Sequence, residues 1–225
     1  MSERSTAVTA ALVLALGALA CSGPESRIVD QYFTALRAND TNTLSSFAMV
    51  ALDKKVDDWK VVSIGAETSE PAPLPELVKK QKDLEAELAE NQRDARAWAN
   101  DLSIYPRLEQ ARELEKKNAK IPASLTTIHE KWTAFNDKDR QLKRALADAK
   151  AAVERERRNA QLSVGQRDDL DTLTGKTVSK QVELNLTIAG QSQPYVMTLR
   201  KYELDGGGGP RMIARWVVES LEPKG

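Results

Sequence analysis

Residues 80–99, KQKDLEAELAENQRDARAWA, and residues 125–160, LTTIHEKWTAFNDKDRQLKRALADAKAAVERERRNA, decide the fold of this chain. Both lie in residues 76–161, which contain no glycine and are dense in Ala, Leu, Glu, Lys and Arg, the composition of long helices. Apolar residues recur there at alternating spacings of three and four, with mostly charged residues between them. This period of about 3.5 residues predicts two helical arms that pack along a left-handed coiled-coil seam.

The two arms are predicted to close as an antiparallel hairpin, because they are similar in length. They meet at residues 118–122, where Pro122 cannot continue a helix interior without losing a hydrogen bond. Pro122 or Ser124 can then start the second helix. Pro106 lies inside the first arm and predicts a kink, or a separate short helix beyond it. Folding about residue 120 pairs Leu102 with Asp139, Tyr105 with Phe135, Trp98 with Leu142, and Leu88 with Val153.

Four aromatic residues of the hairpin, Trp98, Tyr105, Trp132 and Phe135, are predicted to bind a partner. Two isolated helices bury only a narrow stripe, so these side chains would remain partly exposed. A protein partner or self-association would cover them, and the alternative is a long, solvated hairpin. Several seam positions are polar, which either fixes the helix register or marks a seam where another helix packs. These positions are Gln81, Asn91, Asp139 and Glu156.

The N-terminus has the pattern of a targeting segment. Residues 7–20, AVTAALVLALGALA, form an apolar run that is shorter than the roughly 20 residues of a membrane span but typical of a signal peptide. The run ends at Cys21, the only cysteine of the chain. Small residues and then a lone cysteine after such a run resemble a bacterial lipoprotein signal. In that family the cysteine is lipidated and becomes the first residue of the mature protein.

The lipoprotein resemblance implies a cell-envelope location, with the protein anchored to a membrane through Cys21 and facing the periplasm. Stable anchoring requires more than one acyl chain. Ser22 after the cysteine favours the outer membrane over the inner one. The alternative is an ordinary secretory signal, cut near Ala20, which would release a soluble periplasmic or secreted protein. The chain has 33 basic and 33 acidic residues, and this balance argues against a nucleic-acid partner.

The sequence on either side of the arms predicts one α+β domain. Residues 27–38 form an amphipathic helix, and residues 41–47 form a short second helix. Residues 69–75, SEPAPLP, predict a stiff, extended linker. Alternation and turn residues predict four strands, at residues 58–65, 178–189, 195–202 and 211–221. The predicted division is a signal peptide (1–20), two parts of the α+β domain (21–75 and 166–225) and the inserted hairpin (76–165).

Residues 27–40, RIVDQYFTALRAND, followed by a short helix, are similar to the opening of a nuclear-transport-factor-2-like (cystatin-like) domain. The terminal strands, with Trp216 near the end of the last one, resemble the close of that fold. The likeness is greatest to uncharacterised versions found in bacterial envelope lipoproteins. It implies N-terminal helices packed on a curved antiparallel sheet, often around a conical pocket. Some members of this superfamily are isomerases or hydrolases, and many only bind ligands or partners.

Few residues suggest catalytic or metal chemistry, and each has a simpler interpretation. His129, the only histidine, is predicted to be a solvated helix residue. Asp30 could serve as an acid or base, but it falls off the apolar face of its helix and is expected to be a surface charge. Asp168, Asp169 and Asp171 lack the glycine and glutamate of a calcium loop, which favours an acidic linker or helix start.

Two further segments complete the set. Residues 206–209, all glycine, are predicted to form a flexible loop, because no Lys-Ser/Thr pair follows as in a phosphate loop. Residues 154–158 form a mixed-charge helix end. This end is either solvated or docked on the α+β domain or on anionic lipid. One cysteine excludes a disulfide framework and a four-cysteine zinc site, and no cofactor or metal is predicted.

The favoured function is a non-enzymatic envelope lipoprotein that contacts a protein partner through the hairpin. The alternatives are a binder of a small apolar or lipid ligand in the cystatin-like pocket, and an enzyme on the same fold.

Overall fold

A computed structural model describes residues 23–205 and 214–225 of the chain. Cys21 and the glycines at 206–209 lie outside the described residues. The chain is α+β, as predicted, and it divides into two compact units. The first, called the sheet unit, comprises Met1–Pro71, Leu162–Gln166 and Gly175–Gly225. The second, called the helical unit, comprises Ala72–Gln161 and Arg167–Thr174.

The sheet unit begins with two helices that match the predicted ones closely. Helix α1 spans Pro24–Arg37 and helix α2 spans Thr41–Phe47. Helix α1 starts three residues earlier than expected, because Pro24 suits the first helical turn, where its missing N–H costs nothing. The chain leaves α1 through Asn39, whose φ of 53° is left-handed, and the Asp40 carboxylate then caps α2 by accepting a hydrogen bond from the Thr43 N–H at 3.0 Å.

Five strands form an open antiparallel sheet in the order β1-β3-β4-β5, and β2 pairs with a second stretch of β3. The strands are β1 Asp58–Ile64, β2 Thr68–Pro71, β3 Thr174–Ile188, β4 Gln191–Asp205 and β5 Val217–Pro223. Strands β3 and β4 are longer than predicted. The two-residue turn between them explains this, because Ala189 and Gly190 have φ values of 51° and 75°, which suit a tight hairpin.

The prediction of a proline-rich linker over residues 69–75 is wrong except at residues 72 and 73. Residues 68–71 form β2 and pair with Lys176–Ser179 of β3, and helix α3 begins at Leu74. Proline is tolerated at both places, since Pro71 lies at the end of an outer strand and Pro75 lies in the first turn of a helix. Two of the three prolines therefore lie inside regular elements, and only residues 72 and 73 connect β2 to α3.

Both edges of the sheet are irregular. Strand β1 carries a bulge at Val62, because Val61 and Ser63 pair with adjacent residues of β3. Strand β5 carries a second bulge at Glu219, whose carboxylate accepts a hydrogen bond from Arg200 at 2.8 Å. The β5 edge is also partly covered, because Ala48 forms an isolated bridge with Val218 and the Met49 N–H donates to the Val218 carbonyl at 2.8 Å.

The core of the sheet unit lies between the two N-terminal helices and one face of the sheet. The alternation predicted for β3 is observed, with Val182, Leu184 and Leu186 almost fully buried. Strand β4 and the helices supply the other buried side chains, which are Val29, Tyr32, Phe33, Leu44, Phe47, Tyr195, Met197 and Leu199. The Phe33 ring stacks on Trp59 at 5.1 Å between ring centroids. Burial of each large apolar side chain stabilises the fold by about 1.5–3 kcal/mol.

The helical unit is built from three α-helices and one 3-10 turn. Helix α3 spans Leu74–Ala99, α4 spans Tyr105–Lys116, and α5 spans Ala123–Val164. The separate short helix predicted beyond Pro106 is therefore present, and Pro106 lies in its first turn. Residues Leu170–Thr172 form the 3-10 turn, which contacts α3.

The predicted pairing register of the helical arms is wrong. Helices α3 and α5 run in opposite directions, since Glu85 contacts Lys150 and Trp98 contacts Phe135. Trp98, however, was expected beside Leu142, which is about two turns further along α5. The prediction placed the break in the first arm at Pro106 and counted the pairing by folding about residue 120, whereas the chain already leaves the helix between Ala99 and Tyr105.

Candidate interaction surface on the helical unit

The surface is centred on Trp98 in the last turn of α3 and Phe135 on α5. Their ring centroids lie 5.8 Å apart and the rings are tilted by 45°. The Lys131 ammonium group, one helical turn before Phe135, lies 5.3 Å from the Trp98 ring. Both rings are half-buried. The structure thus brings together two of the four predicted partner-binding aromatics, in a pairing that the heptad count did not anticipate.

Trp132 is also half-buried, but helix α4 covers it. The Arg112 guanidinium lies 4.1 Å from the centroid of the Trp132 ring, within the range of a cation–π contact. Arg112 also forms an ion pair with Glu109 at 2.7 Å, one turn earlier on the same helix. This stacking contributes about 0.5–1 kcal/mol at a partly exposed site, so Trp132 contributes mainly to holding α4 on α5.

Tyr105 and Leu102 are the exposed apolar side chains of this surface. Tyr105 keeps 51% of its surface exposed and Leu102 keeps 91%. Leu102 was expected in the seam opposite Asp139, and this expectation is wrong. Sequence reasoning therefore missed it as a surface residue. The sequence does contain a signal for this exposure. Asp101 and Ser103 favour a turn, and they flank Leu102 just before Pro106.

The connection that carries Leu102 is held by hydrogen bonds to Asp101. The carboxylate of Asp101 accepts from the Ser103 N–H at 2.8 Å and from the Ser103 hydroxyl at 2.6 Å. The Asp101 carbonyl accepts from the Ile104 and Tyr105 N–H groups. The hydrogen bonds from the Ser103 hydroxyl and backbone lower the pKa of the Asp101 carboxyl. Because the turn is fixed, exposure of Leu102 is a property of the fold.

Polar residues between α3 and α5 fix how these two helices pack. Asn91 is only 5% exposed, and its side-chain amide donates to the Phe135 carbonyl at 3.2 Å. The Gln92 amide donates to Asp139 at 2.8 Å, and Lys143 forms an ion pair with the same carboxylate at 2.7 Å. These hydrogen bonds, from Lys143 first and then Gln92, lower the pKa of Asp139. Such bonds are available in one register only, in keeping with the first interpretation of the polar seam.

The remaining candidates for chemistry are paired within the fold. His129 lies on α5 with its side chain 22% exposed, so it is largely covered and not solvated as expected, and its Nε2 is 3.3 Å from Glu115. Asp30 is exposed, as expected, and accepts a hydrogen bond from the Trp59 indole at 2.9 Å. Each of these groups is used in a local contact.

Two of the three aspartates near residue 170, Asp169 and Asp171, are held by arginine. Arg167 donates to both carboxylate oxygens of Asp169 at 2.7 Å, and Arg157 donates to both oxygens of Asp171 at 3.0 and 2.9 Å. Arg157 also contacts Glu154, which accounts for part of the mixed-charge helix end. Within residues 23–205 and 214–225, no group of three or more His, Cys, Asp or Glu side chains is placed to hold a metal ion.

No protein-family model matches the chain, and neither a curated protein nor a solved structure matches it significantly. Among the described helices, none has both the length and the apolar character that crossing a bilayer requires.

Proposed function

We propose that this chain is a non-enzymatic lipoprotein of the cell envelope, anchored through Cys21, and that its helical unit contacts a protein partner. The observation that carries the proposal is the exposure of Leu102 and Tyr105, which follow the half-buried Trp98 by four and seven residues along the chain. Because the backbone of this turn is held by hydrogen bonds, the Leu102 side chain cannot become buried within its own chain. A partner that covered Leu102 fully would remove apolar area worth about 1.5–3 kcal/mol.

The fold proposed for this protein is a cystatin-like domain interrupted by a helical hairpin. The packing of α1 against an antiparallel sheet supports the first part of this proposal. The chain order supports the second part, because β2 leads into α3 and the sheet resumes with β3 only after α5. In such a protein the sheet unit serves as the base near the anchor, and the helices serve as the contact element.

The alternative function, binding of an apolar ligand beneath the sheet, has less support. Tyr32 and Phe33 pack edge to face at 5.1 Å, and Met197 and Leu199 from β4 are fully buried beside them. These side chains occupy the space between the helices and the sheet, where the pocket of a cystatin-like domain would lie.

A crosslinked pull-down from native membranes tests the partner proposal. The full chain is compared with the double variant Leu102→Ser/Tyr105→Ser, which removes the exposed apolar groups but leaves the buried contacts of α3 and α5 in place. Val62→Ser is the matched control, because Val62 is an exposed apolar residue of the sheet unit, 53% exposed. We expect the full chain and the control to capture the same partner, and the double variant to lose it.

The result that would overturn the proposal is equal capture by all three proteins, or a loss that occurs only with Val62→Ser. Circular dichroism of the three proteins at 222 nm provides the folding control. Leu102 and Tyr105 are exposed, so surface substitutions there are expected to change stability by only about 0.5 kcal/mol.

A further inference from the structure

A cleft on the sheet unit lies between the last turn of α1 and residues 52–56. It encloses about 390 Å³ and is lined by Leu36 and Arg37 from α1 and by Leu52, Lys54, Lys55 and Val56 from the connection to β1. This volume falls at the lower end of the range for small-molecule sites. We call it the basic cleft. Its apolar wall borders the core, because Val56 belongs to the buried cluster and Leu36 and Leu52 pack against it.

The wall that carries the two lysines is fixed at both ends. At one end, the Leu52 N–H donates to the phenol oxygen of the fully buried Tyr32 at 3.0 Å. At the other end, Arg37 donates to the Asp57 carbonyl at 2.6 Å, and Val56 is buried. Burial raises the pKa of Tyr32, which keeps its phenol neutral. A wall held in this way needs little further ordering when a ligand binds.

The cations of the basic cleft are not neutralised by the fold. Arg37, Lys54 and Lys55 form no ion pair among the described residues, and Asp53 is the only acidic side chain that lines the cleft. The hydrogen bond of Lys54 goes to the phenol oxygen of Tyr195, at 3.4 Å, and not to a carboxylate. By contrast, Lys180 and Lys201 in the same unit are paired with carboxylates. An excess of two positive charges therefore faces one cavity.

We propose that the basic cleft binds a small organic phosphate. The phosphate oxygens would contact Lys54 and Lys55, and the organic part would lie on Leu36, Leu52 and Val56. A phosphate that carries close to two negative charges matches the net charge of the cleft, and lysine is a common point-charge ligand for phosphate. The same chemistry occurs in free organic phosphate monoesters and in the monoester headgroup of phosphatidic acid. This proposal does not rest on lipidation of Cys21 or on the partner surface.

Titration calorimetry of the purified full chain in a nonionic detergent tests the proposal with defined probes. Phenyl phosphate represents a free organic phosphate, and dihexanoyl phosphatidic acid, whose phosphate is also a monoester, represents a phospholipid headgroup. Inorganic phosphate lacks the apolar part, and benzoate carries a single negative charge. We expect saturable one-to-one binding of phenyl phosphate or of the short-chain lipid. The probe that binds with the higher affinity shows whether the ligand is a free organic phosphate or a phospholipid headgroup. Inorganic phosphate and benzoate should each bind at least about tenfold more weakly.

The variant Lys54→Gln/Lys55→Gln should weaken binding of the better probe by about tenfold or more. Lys60→Gln/Lys120→Gln is the matched control, because it removes the same charge at two exposed lysines that do not line the cleft, and it should bind like the unchanged protein. Absence of saturable binding would overturn the proposal. So would equal affinity in the two double variants, or benzoate binding as tightly as phenyl phosphate.

Discussion

The ammonium group of Lys180 on β3 lies 2.5 Å from the Glu25 carboxylate and 3.3 Å from Glu67. Glu25 is 6% exposed in the first turn of α1. Burial alone would raise the pKa of the Glu25 carboxyl, but the hydrogen bond and charge of Lys180 outweigh it and lower the pKa. Glu25 is therefore charged and buried, and Lys180 is its main partner, with further stabilisation from the Glu25 backbone N–H and from the charge of Lys201. The contact with Lys180 ties the start of α1 to the sheet.

We predict that Lys180→Met destabilises the protein by about 3 kcal/mol at pH 7, because it leaves the Glu25 charge buried without its partner. Lys176→Met is the control, since the Lys176–Glu203 pair is more exposed and should cost less than about 1 kcal/mol. Urea unfolding followed by circular dichroism gives both values. Equal losses in the two variants would contradict the prediction.

The same pair gives a pH signature with a definite sign. The pKa of Glu25 is lowered by folding, so its stabilising effect is present above the pKa of an unfolded glutamate and is lost as the pH falls through the lowered value. The difference in stability between the unchanged protein and Lys180→Met should therefore shrink as the pH falls below about 4. A difference that stays constant would mean that the Glu25 charge is not the cause.

At the scale of elements, the sequence predicts well where one local signal dominates. The bounds of α2 follow from Asp40 as the capping residue, and the core face of β3 follows from alternation. Strand β2 could not be predicted, because the prolines around it suggest a linker. Its pairing with β3 joins residues more than 100 positions apart, which local sequence does not reveal. The contact between Trp98 and Phe135 was missed for a similar reason. Heptad spacing assigns residues to a seam, but the partner depends on where the helix ends.

Strand β3 contains a glycine that its sequence pattern does not explain but its packing does. Gly175 has a φ of 138°, and a Cβ atom there would lie 2.3 Å from the Glu203 carbonyl oxygen of β4. We predict that Gly175→Ala destabilises the protein by about 3 kcal/mol, because strain and a backbone clash combine. The matched control is Gly190→Ala, where φ is 75° but the space is open, and strain alone should cost about 1 kcal/mol. Thermal unfolding of both variants would reveal the difference, and equal melting temperatures would refute it.

At the scale of the whole molecule, two units of different composition share one chain. The sequence predicted the α+β class and a helix-rich segment, because glycine and β-branched residues are distributed unevenly along the chain. It predicted the candidate surface only in part. Two of its four aromatics have exposures set by α4, which covers Trp132, and by the turn before it, which exposes Tyr105. The basic cleft was not predicted, since its cations are brought beside α1 by folding.

The proposed anchor leads to a prediction for the whole protein. An alkyne fatty acid fed to growing cells should label the unchanged chain and the control Ser22→Ala, whereas Cys21→Ser should carry no label, because the thiol is the attachment point. The readout is in-gel fluorescence after coupling to a dye. Absence of label on the unchanged chain would favour the alternative of a secreted protein.

The bulges at Val62 and Glu219 affect how copies of this protein interact when their local concentration is high. A flat outer strand presents a regular row of free N–H and C=O groups, onto which a strand of a second molecule can add. Each bulge interrupts that row and twists it, and Pro223 ends β5 without an N–H to offer. Copies crowded together in two dimensions would thus be protected from edge-to-edge polymerisation. The sheet can therefore remain open-edged without starting the growth of a fibril.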